Sequence, residues 1–267
     1  MYEWLDILRI FLSFSFLAAS SWYDLKTREV PNRMWLLFAP LGFMLSFANF
    51  LLTKEDSFLI FWLLSSLVTA GLSLVLFYLG FFGGADAKAL ICLSIALPGY
   101  PSSASPLLKS LSPLFPLAVL SNALLGSLAL VFMITAYNLS RLIQSKGKMF
   151  EGLENEPLWK KALAFMIGFK IDSDRLKGVS HYIPLQYFSK DADGRIIQHL
   201  RISPRLEEEA PQKNEASEDF SEEAGGKIWA TPGLPFLVFV TAGFVVTLVI
   251  GDIISWLAIQ IVAPRVV

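Results

Sequence analysis

Long apolar blocks separated by short polar loops constrain this chain more than any other feature. Residues 5–23, 34–52, 58–80, 113–139 and 234–261 each form such a block. A helix rises about 1.5 Å per residue, so about 20 residues cross the roughly 30 Å of membrane hydrocarbon. Lipid offers no hydrogen-bond partners, so a lone spanning segment must satisfy its own backbone as a helix. A sixth block, residues 86–97, is shorter and stops at Pro98-Gly99; it predicts a tilted or partial span. Hydrophobic residues make up 54% of the chain and charged residues 17%. A soluble domain sits nearer 45–50% and about 25%. The expected fold is an all-α membrane protein, a six-transmembrane-helix bundle with a small cytoplasmic α+β insertion before the last helix.

That insertion is residues 141–230, between a first bundle segment at 1–140 and a last helix in 231–267. Within it, residues 157–169 have the pattern of a short amphipathic helix. Residues 179–202 read as a β-hairpin around Asp191-Ala192-Asp193-Gly194, a glycine-containing turn between aromatic and β-branched strands. Residues 205–226 are rich in Glu, Ser, Pro, Ala and Gly, a composition that predicts disorder.

Cationic residues set the orientation. Lys26, Arg28 and Arg33 follow the first block, Lys88 follows the third, and Arg141, Lys146 and Lys148 follow the fifth. The positive-inside rule makes these three loops cytoplasmic and puts both termini outside. Lys88 lies two positions after Asp86, about 200° around a helix, so it reads as a topology anchor pointing away from that carboxylate. The first block has small residues at Ala18-Ala19-Ser20, but Glu3 and Asp6 offset Arg9 ahead of them. That is not the positive start of a secretory signal, so it reads as an uncleaved span.

Several function classes are disfavoured. The net charge is −1, with no basic stripe carrying interleaved aromatics, so no nucleic-acid partner is expected. Cys92 is the one cysteine, which excludes a Cys-x-x-Cys zinc site. His181 and His199 both lie in the polar region, so no Ser–His or Cys–His arrangement is expected near a span. No cofactor and no metal are expected.

Two carboxylates stand out. Asp24 closes the first block, and Asp86 opens the short one, in Gly83-Gly84-Ala85-Asp86. Ionisable residues at membrane depth are expensive and mark functional sites. The orientation brings both to the cytoplasmic face, where two nearby carboxylates would share a proton. Each also has a plain structural reading: Asp24 as an interfacial polar residue held by cations, Asp86 as a helix N-cap. The segment Pro232-Gly233-Leu234-Pro235 enters the last block from the same face. It reads either as irregular backbone supporting a site or as a helix start with proline in its first turn. Gly83 and Gly84 leave room for an extended peptide beside Asp86.

Asp24 followed by Val30-Pro31-Asn32, then Gly83-Gly84-Ala85-Asp86, then Thr231-Pro232-Gly233-Leu234-Pro235-Phe236, resembles the archaeal prepilin peptidases, which include the preflagellin (archaellin) peptidases. These are membrane aspartic proteases with a Gly-x-hydrophobic-Asp motif. The resemblance covers the spans in number and order, and is weaker over residues 141–228. It implies Asp24 and Asp86 as the catalytic pair. It also implies prepilin-like or archaellin precursors as partners in the membrane lipid, cut between a short basic leader and an apolar helix. Two other readings are a presenilin- or signal-peptide-peptidase-like protease, echoed by Tyr23-Asp24, and a proton-coupled small transporter. Transporters place such groups near the midplane and show repeats; this chain shows neither.

Overall fold

The computed structural model describes residues 3–108, 112–145, 148–172, 182–190, 196–201, 227–233 and 235–262. The chain divides into two compact units, one of Met1–Ser127 with Pro235–Val267 and one of Leu128–Leu234.

The first unit is helical. It holds α1 (Glu3–Thr27), α2 (Asn32–Thr53), α3 (Asp56–Tyr78), α4 (Gly84–Ala96) and the start of α5 (Phe115–Gln144). Two further helices, numbered α7 (Phe236–Val249) and α8 (Ile253–Val262) here, complete it. α1, α2, α3 and α5 are each long and apolar enough to cross a membrane. α7 and α8 together make a fifth candidate span, bent by 58° at its break.

The packing reverses the pattern of a soluble bundle. The buried stripe of α2 runs Trp35, Phe38, Gly42, Ser46, Asn49, and that of α3 runs Trp62, Ser65, Thr69, Ser73. Large apolar residues such as Leu36 and Leu67 face outward. Without a hydrophobic force between helices in lipid, small and polar residues carry their association.

α4 is the centre of this arrangement. Ala89, Leu90, Leu93 and Ala96 are fully buried. A helix surrounded by other helices need not match the lipid thickness, which explains its 13 residues. Its unpaired C-terminal carbonyls would be costly here. Side chains from neighbouring helices satisfy them: Ser46 donates to the carbonyls of Ile95 and Ala96, Trp62 to Ile95, and Ser66 to Ser94. Ser65 donates to Pro98 just beyond.

Two buried acids far from the catalytic candidates also have structural partners. Asp6 pairs with Arg9 and accepts hydrogen bonds from the backbone N–H and the hydroxyl of Ser102, fixing the loop after α4 onto α1. Asp252 sits at the break between α7 and α8, where it caps α8 through Ser255 and accepts from the Ser121 hydroxyl at 2.9 Å. This break interrupts what the sequence reads as one continuous last span. Gly251 takes φ +106 there, and a Cβ on it would lie 2.5 Å from the Leu108 carbonyl oxygen.

Gly243 is another close approach. A Cβ on it would lie 2.6 Å from the Val119 carbonyl oxygen and 2.8 Å from the Ala123 nitrogen. Both obstacles are backbone, so Gly243→Ala must separate α5 from α7. The expected cost is about 1–3 kcal/mol, typical of overpacking. It should show as a lowered thermal midpoint in detergent; an unchanged midpoint would contradict this packing.

The second unit is mixed. After the end of α5 come a single 3-10 turn (Lys148–Phe150) and α6 (Leu158–Ile167), within the predicted amphipathic stretch. The strands are β1 (Phe169–Asp172), β2 (Tyr182–Pro184), β3 (Gln186–Lys190), β4 (Ile196–Leu200) and β5 (Lys227–Pro232). β1, β5 and β2 form one antiparallel sheet in that order, and β3 pairs with β4. The hairpin expected over 179–202 is therefore shorter than its sequence pattern, because Tyr182–Pro184 pairs with β5 instead. Its turn, Asp191–Gly194, and the acidic stretch 205–226 lie outside the described residues. Trp229 stacks on Phe150 at 4.9 Å and, with Leu153, Ala164 and Leu200, forms a core separate from that of the helical unit.

Candidate active site

Asp24 lies in the last turn of α1, where the partial negative charge of a helix C-terminus disfavours a carboxylate. It needs outside donors. The backbone N–H of Leu237, in the first turn of α7, lies near enough to favour its charge, and so does the Arg28 guanidinium. Asp24 therefore stands between the unfavourable end of its own helix and the favourable end of α7. One turn earlier, Ser21 donates to the Leu237 carbonyl at 2.9 Å and its hydroxyl meets that of Thr241 at 2.7 Å. Ser21 thus locks α1 against α7 one turn before Asp24. Arg28 adopts φ 61, a left-handed conformation that ends α1 and turns the chain toward α2.

Asp86 occupies the third position of α4, where the helix N-terminus favours negative charge. It accepts a hydrogen bond from the Gly83 N–H at 2.9 Å. Gly83, not Asp86, is the N-cap. The loop ahead of Asp86 is held by Phe82, whose ring packs on Phe236 at 5.2 Å, in the first turn of α7. Asp24 and Asp86 lie within electrostatic reach of one another, and each is partly exposed. Residues just ahead of both carboxylates, Ser21 and Phe82, therefore converge on the start of α7.

The glycines of the motif differ in kind. A Cβ on Gly83 would lie 3.0 Å from Asp86 Oδ2, whereas one on Gly84 would meet only Phe77 Cε2 at 3.7 Å. Ala85 is partly buried between them and Asp86. Pro235 is the N-cap of α7. Pro232 ends β5 opposite Tyr182, and Gly233 follows it in the second unit. Leu234 lies outside the described residues. The segment that reads as irregular backbone is thus partly a strand.

Lys88 does more than anchor topology. Its ammonium donates to Asn32 Oδ1 at 2.8 Å, tying the Pro-Asn turn after α1 to the helix that carries Asp86. Neither Ser21 nor this tie is visible as a pattern, although a serine three residues before Asp24 shares its helix face. The Lys88–Asn32 bond is exposed, so Lys88→Ala should lower kcat/KM by no more than about fivefold, the equivalent of ~1 kcal/mol. A loss of a hundredfold or more in a cleavage assay would give Lys88 a direct role.

The second unit holds an arrangement that the sequence does not announce. Ser189 Oγ and His199 Nε2 are 3.0 Å apart, and His199 Nδ1 is 3.1 Å from Glu156. The register pairing Tyr187 with His199 sets this diagonal contact. Tyr187 stacks on the imidazole and Glu156 also faces Lys160 at 3.8 Å. The cluster ties the β3–β4 hairpin to the residues just before α6.

Comparison with known proteins fits this geometry. A model of the Type IV leader peptidase family matches residues 11–137, the stretch that carries both aspartates. A model described as Archaeal Peptidase A24 C-terminus Type II matches residues 160–253. The chain belongs to the type IV leader peptidase family. It is a multi-pass membrane peptidase. A preflagellin peptidase of Methanocaldococcus jannaschii is 26% identical, over 88% of this chain and 91% of its own length. One from Methanococcus voltae is 26% identical over 88% and 92%, and one from Methanococcus maripaludis 24% over 88% and 92%.

Proposed function

We propose that this leader peptidase is an aspartic endopeptidase that removes the short basic leader of prepilin-like or preflagellin precursors, using Asp24 and Asp86. The observation that carries the reading is that the segments bearing both carboxylates pack on the start of α7, Ser21 of α1 on Leu237 and Phe82 ahead of α4 on Phe236. The family membership and the preflagellin peptidases among its relatives supply the substrate class.

Two like charges at short range oppose joint ionisation, so the pair holds one proton between them at working pH. The ionised member takes a proton from water as that water attacks the scissile carbonyl. The protonated member hydrogen-bonds to the carbonyl oxygen and then delivers its proton to the leaving amine. The proton belongs to the pair and titrates as a pair property.

Position in the membrane follows from order. Asp24 follows the first span and Asp86 follows the third, so two crossings separate them and they share one face whatever the depth of α4. Lys26, Arg28 and Lys88 make that face cytoplasmic. With α4 counted as the fourth crossing, the bundle has six and both termini lie outside. A precursor with its basic leader in the cytoplasm and its apolar helix in lipid presents the junction between them to the pair.

Cleavage of a tagged preflagellin precursor in membranes containing this chain tests the reading. The expected profile of kcat/KM against pH is a bell. Below the lower apparent pKa both carboxylates are protonated and the base is lost; above the upper one both are ionised and the acid is lost. A profile with a single limb across the range where the protein stays folded would sink proton sharing, and an uncut precursor would sink the substrate class.

A further inference from the structure

The second unit contains a cavity of about 300 Å³ that the peptidase chemistry does not use. Its wall comes from the last turns of α5 (Tyr137, Asn138, Arg141), from Ser145 just beyond, and from Lys170 and Lys227 on β1 and β5. Among the described residues, three cations line it and no carboxylate does. Lys170 pairs with Trp229 in the ladder, so Lys227, two residues from Trp229, sits diagonally from it on the same face. Asp172 lies opposite Lys227 but is exposed, and among the described residues no salt bridge joins either lysine to an acid. Burial holds Lys170 below the ordinary lysine range; Glu151 opposes this, and the neighbouring Lys227 adds to it. Arg141 and Lys227 are exposed and Lys170 is half-buried, and the three cations together would draw a bound anion.

The polar details narrow the ligand. Arg141 is held by Tyr137, whose hydroxyl oxygen accepts from Nε at 3.1 Å and from an Nη nitrogen at 3.0 Å. This leaves the rest of the guanidinium fork for a planar or tetrahedral oxyanion. Asn138 is fully buried, and its Nδ2 donates to the carbonyls of Phe165 and Gly168. Those two bonds fix which end of the amide is oxygen. Among the described residues that Oδ1 has no partner. The cavity wall thus offers cations for a phosphate.

The helix supplies the source. α5 has 30 residues, about 45 Å at 1.5 Å each, against about 30 Å of hydrocarbon. Twenty residues from Phe115 end near Thr135, so Tyr137 and Arg141 fall at headgroup depth, where tyrosine and arginine anchor helices. Ile143, beside the cavity on the same helix, is 74% exposed, and α6 in the same unit leaves Leu158 82% and Trp159 57% exposed. Apolar side chains left bare on both helices fit contact with the lipid boundary.

We infer that this cavity binds the phosphate group of an anionic phospholipid headgroup, one that carries no cation of its own. Purified protein in neutral detergent would be titrated with phosphatidylglycerol, phosphatidylcholine and free glycerol phosphate, with retention read by native mass spectrometry. Phosphatidylglycerol should be retained at least tenfold better than phosphatidylcholine. Lys170→Gln/Lys227→Gln should abolish the preference, and Lys170→Arg/Lys227→Arg should keep it. Asn138 is left intact because its loss would disturb the fold. Retention of glycerol phosphate with no preference between the two lipids would support the site but give it a soluble ligand. A preference untouched by the glutamine variant would overturn the proposal. So would binding that emerges only after deletion of residues 207–223, since the chain's own acidic segment would then be the occupant. No substrate enters this experiment, so its outcome is independent of whether preflagellin is the one cleaved.

Discussion

Asp24→Asn and Asp86→Asn should each lower cleavage of a preflagellin precursor by about 10²–10⁴-fold, the usual worth of a positioned acid or base. The substitution keeps shape and removes the ability to hold or release the shared proton. The structural contacts of both residues survive it in part. In Asp86→Asn the amide oxygen still accepts from the Gly83 N–H, and in Asp24→Asn the neighbouring Ser21 still ties α1 to Leu237. Protein level in the membrane should therefore match wild type. Two buried acids provide controls. Asp6 and Asp252 are nearly inaccessible and engaged by Ser102 and Ser255. Asp252→Asn should change stability before it changes the rate per folded molecule. A kinetic loss at Asp252 equal to that at Asp86, with unchanged stability, would move the catalytic assignment.

Gly83→Ala should reduce activity by about 10- to 100-fold, while Gly84→Ala stays within about twofold of wild type. Gly83 has φ −72 and ψ 159, which alanine adopts freely, so backbone strain is not the reason. The obstacle is the Asp86 carboxylate, 3.0 Å from the added methyl. Because that carboxylate is the flexible end of a side chain, it yields, and the fold survives. Yielding moves the reacting oxygen and loosens its bond to the Gly83 N–H, and small displacements at a reacting atom are expensive. At Gly84 the methyl makes an ordinary contact with Phe77. Rates and thermal midpoints measured on both variants would separate these effects. Equal losses at the two glycines would instead point to room for substrate as the common requirement.

The sequence made the spans and the aspartates legible because each leaves a local signature. Apolar runs near 20 residues show span-length helices, and a charge at the end of such a run is conspicuous. What stayed hidden depends on contacts between distant segments. The serines at 46, 65 and 66 read as ordinary spacers in apolar runs, yet they complete the C-terminal end of α4 and let it be short. The break at Gly251 is invisible in hydropathy because the residues on both sides are apolar; it follows from the close approach of Leu108. Tyr182–Pro184 reads as part of the hairpin by pattern, but pairs with β5, some 45 residues later. The Gly83–Asp86 bond obeys a local rule, three residues separating a helix N-cap from the side chain that returns to it, but Asp86 reads from sequence as the cap itself. The bond between Ser21 and Leu237 has no such rule behind it, because nothing local links residues more than 200 apart.

Mass spectrometry of the products from a preflagellin precursor, incubated with the purified chain in lipid vesicles, tests the central claim most directly. The account predicts one cut, at the junction between the basic leader and the apolar helix, releasing a mature subunit that keeps the whole helix. The same product should be missing when Asp86→Asn replaces the wild type. A cut inside the apolar helix, or the same junction product from the Asp86→Asn protein, would contradict a surface dyad of Asp24 and Asp86.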